Sequence, residues 1–411
     1  MISSDEAVRL DQSDPLRNYR REFLLAEGTC YLDGNSLGPV SSRVAKGLQE
    51  VVSQQWQPDL IASWNKHGWI DLPLRIGDQL ASILGAGSGQ IVCCDSTSIN
   101  LFKAIAAALS LSQGRAKVLT TADNFPTDRY MVEGLSKLMA GRCELVSCDE
   151  ANILTSLNDE IAVLVLTQVN FRTGQLLDMK AITQAAHDLG ILVVWDLAHS
   201  AGIVPIALDD CQVDFAVGCS YKFLNGGPGA PAFIYAANRH LGSLEQPLSG
   251  WLGHRKPFDF SPDYEAHEGI AQFLCGTQAV ISMSAVEAAL TLYDEVSVEQ
   301  LREKSLALMD FFLNKLAQSS ASSALQLVGP KELSQRGSQL AFEHDHAYGL
   351  CQALIKRGVV GDFRAPNILR FGFSPLYLSF QDMDFAVDQI VQSLIAGEAT
   401  QAVNNQRSAV T

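Results

Sequence analysis

Lys222 follows a short apolar run in which Phe215, Val217 and Cys219 alternate with small residues, and it precedes the loop Gly226-Gly227-Pro228-Gly229. The pattern predicts a strand, a lysine at its end and a glycine turn that lets a ligand approach. A second apolar run, Ala232 to Tyr235, comes back beside it. An ammonium between a buried strand and such a loop is partly desolvated. Desolvation lowers its pKa and frees a nucleophilic amine for Schiff-base chemistry. Taken alone, a lysine at a strand end is more often a solvated surface group.

A second stretch changes the balance. Ile191 to Trp195 is a near-continuous apolar run, as expected of a strand buried on both faces of a parallel sheet. It ends in Asp196-Leu197-Ala198-His199. A carboxylate at the carboxyl end of such a strand lies where open α/β sheets bind ligands. An anion facing a pyridine nitrogen keeps that ring protonated as an electron sink. Asp196 and Lys222 therefore supply both ends of a pyridoxal phosphate site.

The elements that must hold these groups are legible around them. Ser96 and Thr97 open the apolar helical stretch Leu101 to Leu109. Hydroxyls and free N–H groups at a helix N-terminus bind anions, so the cofactor phosphate is assigned there; an N-cap role for the same residues is compatible. Lys117 to Thr121 reads as a strand with Asn124-Phe125-Pro126-Thr127-Asp128 at its carboxyl end. Ile161 to Thr167 is another strand, and Met179 to Leu189 a helix. Strand, helix, strand in repetition predicts a parallel sheet with right-handed crossovers. Val44, Leu48, Val51, Val52 and Trp56 mark one helix face, and Asp59 to Asp71 reads as a loop. After Leu316 short strands alternate with helices, which predicts a smaller α/β domain.

Five segments together resemble the kynureninase family of fold-type I pyridoxal phosphate enzymes. They are Tyr31-Leu-Asp-Gly-Asn-Ser-Leu-Gly-Pro39, Asn124-Phe-Pro-Thr-Asp-Arg-Tyr130, Asp196-Leu-Ala-His-Ser-Ala-Gly202, Ser220-Tyr-Lys-Phe-Leu-Asn-Gly-Gly-Pro-Gly229 and Gly250-Trp-Leu-Gly-His-Arg255. The aspartate and lysine alone indicate only the fold type; Asn-Ser-Leu-Gly and Gly-Trp-Leu-Gly-His are far more specific. The resemblance implies an α/β fold with a mostly parallel seven-stranded sheet. The expected parts are an arm (1–30) packed on the small domain, a large cofactor domain (31–281), a small domain (282–396) and a disordered tail (397–411). It implies hydrolysis of the Cβ–Cγ bond of L-kynurenine, and more weakly of 3-hydroxykynurenine, to anthranilate and alanine in tryptophan catabolism.

Residue roles carry over position by position. Lys222 would hold the cofactor and move protons, Asp196 would face the ring nitrogen, and Tyr221 would be the acid–base group. Phe125 would stack on the ring, with Asp128, Thr167, Trp251 and Thr277 also at the cofactor. His199 is read as a partner that orients Asp196. Ser36, Trp64, His67 and Arg370 would bind substrate, Arg370 taking the α-carboxylate, although a structural ion pair is its plainer reading. The family is a homodimer with shared sites, so Ser36, Trp64, Trp251 and Thr277 would arrive partly from the neighbour. Trp64 and Thr277 match the bacterial pattern, while His67 lies close enough to Trp64 to exchange with it.

Composition bounds the alternatives. The chain has 411 residues and a formal charge of −15, which disfavours nucleic-acid binding. No signal peptide is visible, apolar runs are strand-length, and nine cysteines without a framework spacing suggest a reduced, cytoplasmic protein. His344-Asp345-His346 lacks the further ligands a metal needs, so no metal is expected. Gly85 to Gly89 lacks the dinucleotide fingerprint. Competing readings are a cysteine desulfurase, an aminotransferase or a non-catalytic module of the same fold. A desulfurase wants a reactive cysteine on a mobile loop, and Cys351 sits in a helical pattern instead.

Overall fold

The computed structural model describes residues 4–112 and 114–407. Its centre is a seven-stranded sheet. In spatial order the strands are Ile91–Cys93, Phe233–Ala236, Phe215–Gly218, Leu192–Asp196, Ile161–Thr167, Lys117–Thr121 and Glu144–Cys148. Phe233–Ala236 pairs antiparallel with both of its neighbours, and the other pairings are parallel. Ile161–Thr167 is buried at every residue, which is why it reads as one unbroken apolar run. Helices cover the sheet, among them Thr97–Leu111 on one face and Leu72–Leu84 on the other.

A second, four-stranded sheet follows, in the order Asp362–Arg364, Ile368–Gly372, Gln339–Glu343, Gln326–Val328, all antiparallel. Helices Val298–Ala317, Ala347–Lys356 and Phe380–Ile395 pack on it. The helix Ser4–Ser13 lies against Phe380–Ile395, and Ala7, Leu16 and Phe23 join the same core. The N-terminal arm is thus part of the smaller unit.

Four expectations need correction. Met283, Val286 and Leu290 pack in the core of the large sheet, whereas Leu292 and Val296 pack in that of the small one. The division therefore falls after the helix Val280–Leu290, not at residue 281. The segment from Asp59 to Asp71 is not a loop but a series of short helical turns, including Leu60–Ala62 and Ser63–Lys66. The helix from Ser42 to Glu50 widens into a π-helical stretch, Val51–Trp56, which turns Val52 and Trp56 out of the buried face. Residues 397–407 are not disordered: Tyr348 Oη donates to Gln406 O at 2.9 Å, and Asn404 is buried. The rest of that tail, 408–411, lies outside the described residues.

One buried carboxylate anchors the start of the strand that carries Asp196. Asp214 accepts from Val193 N at 2.8 Å, His187 Nε2 at 2.8 Å, His240 Nε2 at 2.7 Å and Arg239 Nη2 at 2.6 Å. Burial works to raise its pKa, but the two histidines outweigh that and hold the carboxyl well below its usual range. A depressed carboxyl stabilises the fold at every pH above its unfolded value, about 4, and that contribution is lost as pH falls below it. Asp214→Ala is expected to cost about 3 kcal/mol at neutral pH by urea denaturation, because it leaves several donors unpaired. The difference from wild type should shrink as the pH drops below about 4.

Candidate active site

The parallel register sets Thr167 opposite Asp196 and Asp196 opposite Val217, so three carboxyl ends finish level. Helix Thr97–Leu111 begins at the same edge, with Ser96 as N-cap accepting from Ile99 N at 3.4 Å. These elements enclose a cavity of about 160 Å³ lined by Ser96, Thr97, Phe125, Asp128, Thr167, Asp196, His199, Tyr221 and Lys222. Nine of the residues singled out from sequence thus meet at one place. Ala230 and Ala232 also line it; alanines carry no chemical signal by which sequence reasoning could find them.

The polar groups are tightly placed. Lys222 Nζ lies 3.0 Å from His199 Nε2. Burial, and next the Lys222 charge, push His199 well below the imidazole range, so it is neutral and accepts from the lysine. This corrects the expected role: His199 meets Lys222, while Asp196 Oδ1 accepts from Ala198 N at 2.7 Å. The chain leaves the strand in a turn rather than a helix, so His199 crosses toward the end of the neighbouring strand. Thr167 Oγ1 donates toward Asn124 Oδ1 at 2.6 Å and lies 3.1 Å from Asp128 Oδ2. Burial raises the pKa of both Asp128 and Asp196, and for Asp128 the Asp196 charge adds to it. Tyr221, half-buried, is raised too, chiefly by burial.

Lys222 is held by its loop. Asn225 N donates to Lys222 O at 2.9 Å and Gly226 N to Ser220 O at 2.8 Å. Gly227 takes φ +90°, a left-handed conformation suited to glycine. From the other side Gly38 N donates to Tyr221 O at 2.8 Å, and a Cβ on Gly38 would lie 2.3 Å from Lys222 O. The Asn-Ser-Leu-Gly segment therefore packs directly under the lysine.

Two buried carboxyls with raised pKa values, one of them with an unpaired Oδ1 on Asp128, call for a cationic or N–H partner. A protonated pyridine supplies one. The hydroxyls of Ser96 and Thr97 at a helix N-terminus suit a phosphate, and the Lys222 amine suits an aldehyde. The residues present fit pyridoxal phosphate.

The remaining site residues lie elsewhere. Within this chain Ser36 Oγ donates to Asp362 Oδ2 at 2.6 Å and accepts from Arg370 Nη2 at 3.1 Å. Arg370 is 1% exposed and grips Asp362 with Nε and Nη2. The ion pair is thus real, and Arg364, 34% exposed and 2.8 Å from the same carboxylate, is the guanidinium nearer solvent. Sequence reading missed Asp362 and Arg364, although their position beside Ile368–Gly372 could have flagged them. Trp64 meets Trp69 edge-on, and His67 Nε2 lies 2.7 Å from Asp59 Oδ2. Trp251 and Thr277 are exposed. None of these four lines the cavity of its own chain.

Comparison with known proteins gives the site a context. A family model described as kynureninase C-terminal domain matches residues 301–390. Curated proteins named kynureninase, from Burkholderia pseudomallei and Pseudomonas fluorescens, are 46% and 43% identical, each over 100% of both chains. Among solved structures, a cysteine desulfurase from Escherichia coli superposes with a TM-score of 0.78 at 18% identity, covering 93% of this chain and 98% of that one. A C-DES mutant carrying glycine covalently linked to its PLP cofactor gives 0.77 at 17% identity, covering 90% and 98%. These two likenesses establish the fold.

Replacing Ser96 by Ala together with Thr97 by Val removes two hydroxyl donors from the helix N-terminus. Half-saturation with pyridoxal phosphate is expected to need at least about tenfold more cofactor, followed by absorbance, with circular dichroism unchanged.

Proposed function

The chain belongs to the kynureninase family, and from that premise we propose that it hydrolyses the Cβ–Cγ bond of L-kynurenine to anthranilate and L-alanine with pyridoxal phosphate. The observation that carries this reading is the cavity in which Lys222, Asp196 and Asp128 converge beside a helix N-terminus. The desulfurase alternative finds no support in Cys351, its candidate nucleophile: Cys351 is 1% exposed inside helix Ala347–Lys356, and burial pushes its thiol up.

Ser96 and Thr97 would hold the phosphate, Phe125 would lie on the ring, and Asp196 would face the ring nitrogen. When bound, the cofactor supplies an electron sink for charge developing on the substrate. Lys222 Nζ is the base at the substrate's Cα, and its proton is steadied by neutral His199 Nε2. Tyr221 keeps its phenolic proton at neutral pH because burial raises it, so Oη can give a proton to a carbanion. Arg370 and Arg364 offer the positive charge for the α-carboxylate.

A homodimer explains the residues left outside the cavity. Trp64, His67, Trp251 and Thr277 would serve the neighbour's site, with Trp64 against the substrate ring. A cytoplasmic place in tryptophan catabolism, upstream of NAD biosynthesis, suits this reading; no helix among the described residues is long and apolar enough to cross a membrane.

Purified protein supplied with kynurenine should release anthranilate and alanine in equal amounts; glutamate-dependent transamination or sulfur release from cysteine instead would overturn the proposal. Arg370→Lys should raise KM for kynurenine at least about tenfold, since lysine loses the paired fork, whereas an unchanged KM removes Arg370 from the site. Trp64 offers one N–H donor and no acceptor for an added phenol. An unsatisfied hydroxyl costs about 1–3 kcal/mol, so kcat/KM should favour kynurenine over 3-hydroxykynurenine by roughly tenfold or more. Equal values would place His67 or Thr277 at the ring.

A further inference from the structure

The carboxylate end of the site is a four-membered charge cluster. Asp362 and Arg370 are register partners on adjacent antiparallel strands. Asp362 Oδ1 accepts from Arg370 Nε at 2.9 Å, and Oδ2 accepts from Ser36 Oγ at 2.6 Å and pairs with Arg364 Nη2 at 2.8 Å. Asp33, in the strap that leads to Gly38, is the fourth member. Its Oδ1 is buried without a hydrogen-bond donor. The parallel pairing of Cys30–Tyr31 with Val359–Val360, continued by Leu32 N donating to Val360 O at 2.7 Å, runs Asp33 alongside Asp362, and the Asp362 charge raises its carboxyl. A single proton held between the two carboxyls would relieve that repulsion.

Resting on the kynureninase reading, we propose that Asp33 is a positioning residue for substrate binding: it shares a proton with Asp362, and that proton leaves Arg370 and Arg364 with the net positive charge that the substrate's α-carboxylate meets. With Asp33 ionised, two carboxylates cancel two guanidiniums, and an entering carboxylate adds an uncompensated negative charge in a buried place. With Asp33 protonated, one positive charge remains and the entering carboxylate neutralises it. Carboxylate binding and proton uptake at Asp33 are therefore linked.

The surroundings support this assignment. Burial, and next the Asp362 charge, push Asp33 up to about 7. Burial also works to raise Asp362, but Arg370 and Arg364 outweigh it and hold that group low. The other titratable groups facing Asp33 keep one state near neutrality. Tyr31, Tyr377 and Cys351 are all pushed up by burial and stay neutral, and the arginines stay cationic. Asp33 is the member of the cluster whose charge changes near pH 7.

The test uses the holoenzyme and β-benzoylpropionate, which carries the aryl ketone and carboxylate of the substrate but no amine. Its Kd should be level below about pH 7 and rise toward tenfold per pH unit above it. β-Benzoylpropionamide, without the charge, should show no such rise. In Asp33→Asn, which is neutral at every pH, the rise for the acid should vanish. An Asp33→Asn protein that keeps the wild-type slope overturns the proposal. Should that variant fail to fold, calorimetry of the wild type in two buffers of different ionisation enthalpy decides: uptake approaching one proton near pH 8 supports the linkage, and none refutes it. Turnover of kynurenine by the same preparation reports separately on the family reading.

Discussion

The site depends on the parallel ladder that puts Thr167 opposite Asp196 and Asp196 opposite Val217. A one-residue slip in either pairing would turn the Asp196 carboxylate to the opposite face of the sheet. The ladder holds because both faces of these strands are buried: Val193, Val194 and Trp195 pack into cores on opposite sides. Asp214 fixes the other end of the strand by accepting from Val193 N. Packing and one anchored carboxylate thus set the position of a chemical group a strand-length away.

The second constraint is the strap from Tyr31 to Gly38. Cys30–Tyr31 pairs with Val359–Val360 of the small unit, and Gly38 N–H binds the carbonyl of Tyr221. Between them Ser36 reaches Asp362. One short segment therefore touches both the lysine loop and the guanidinium pair. Glycine is required where the strap passes closest: a Cβ on Gly34 would lie 2.1 Å from Tyr377 Oη.

Groups whose chemistry announces itself in one stretch of sequence were legible. Lys222 before its glycine loop, Asp196 at a strand end and Ser96-Thr97 at a helix start could be assigned from type and spacing, and the cavity brings them together. Contacts made across the chain were not. His199 was assigned to Asp196 because it is near in sequence, but a turn carries it to Lys222. Ser36 bonds residues more than three hundred positions away in its own chain, contacts that no local pattern announces. Asp33 is a polar residue in a turn by pattern. Its significance comes from the strand pairing that runs it alongside Asp362, which only the folded arrangement supplies.

The account stands on Lys222 as the amine that holds the cofactor, with Lys103 as the instructive competitor. Lys103 is also buried, within helix Thr97–Leu111 itself, but it is bound to Asp95 and to Phe273 O. Borohydride reduction of the holoenzyme, followed by peptide mapping, distinguishes them. The account predicts a stable pyridoxyl adduct on the peptide containing Lys222. An adduct on Lys103 or any other lysine, with Lys222 unmodified, would contradict it.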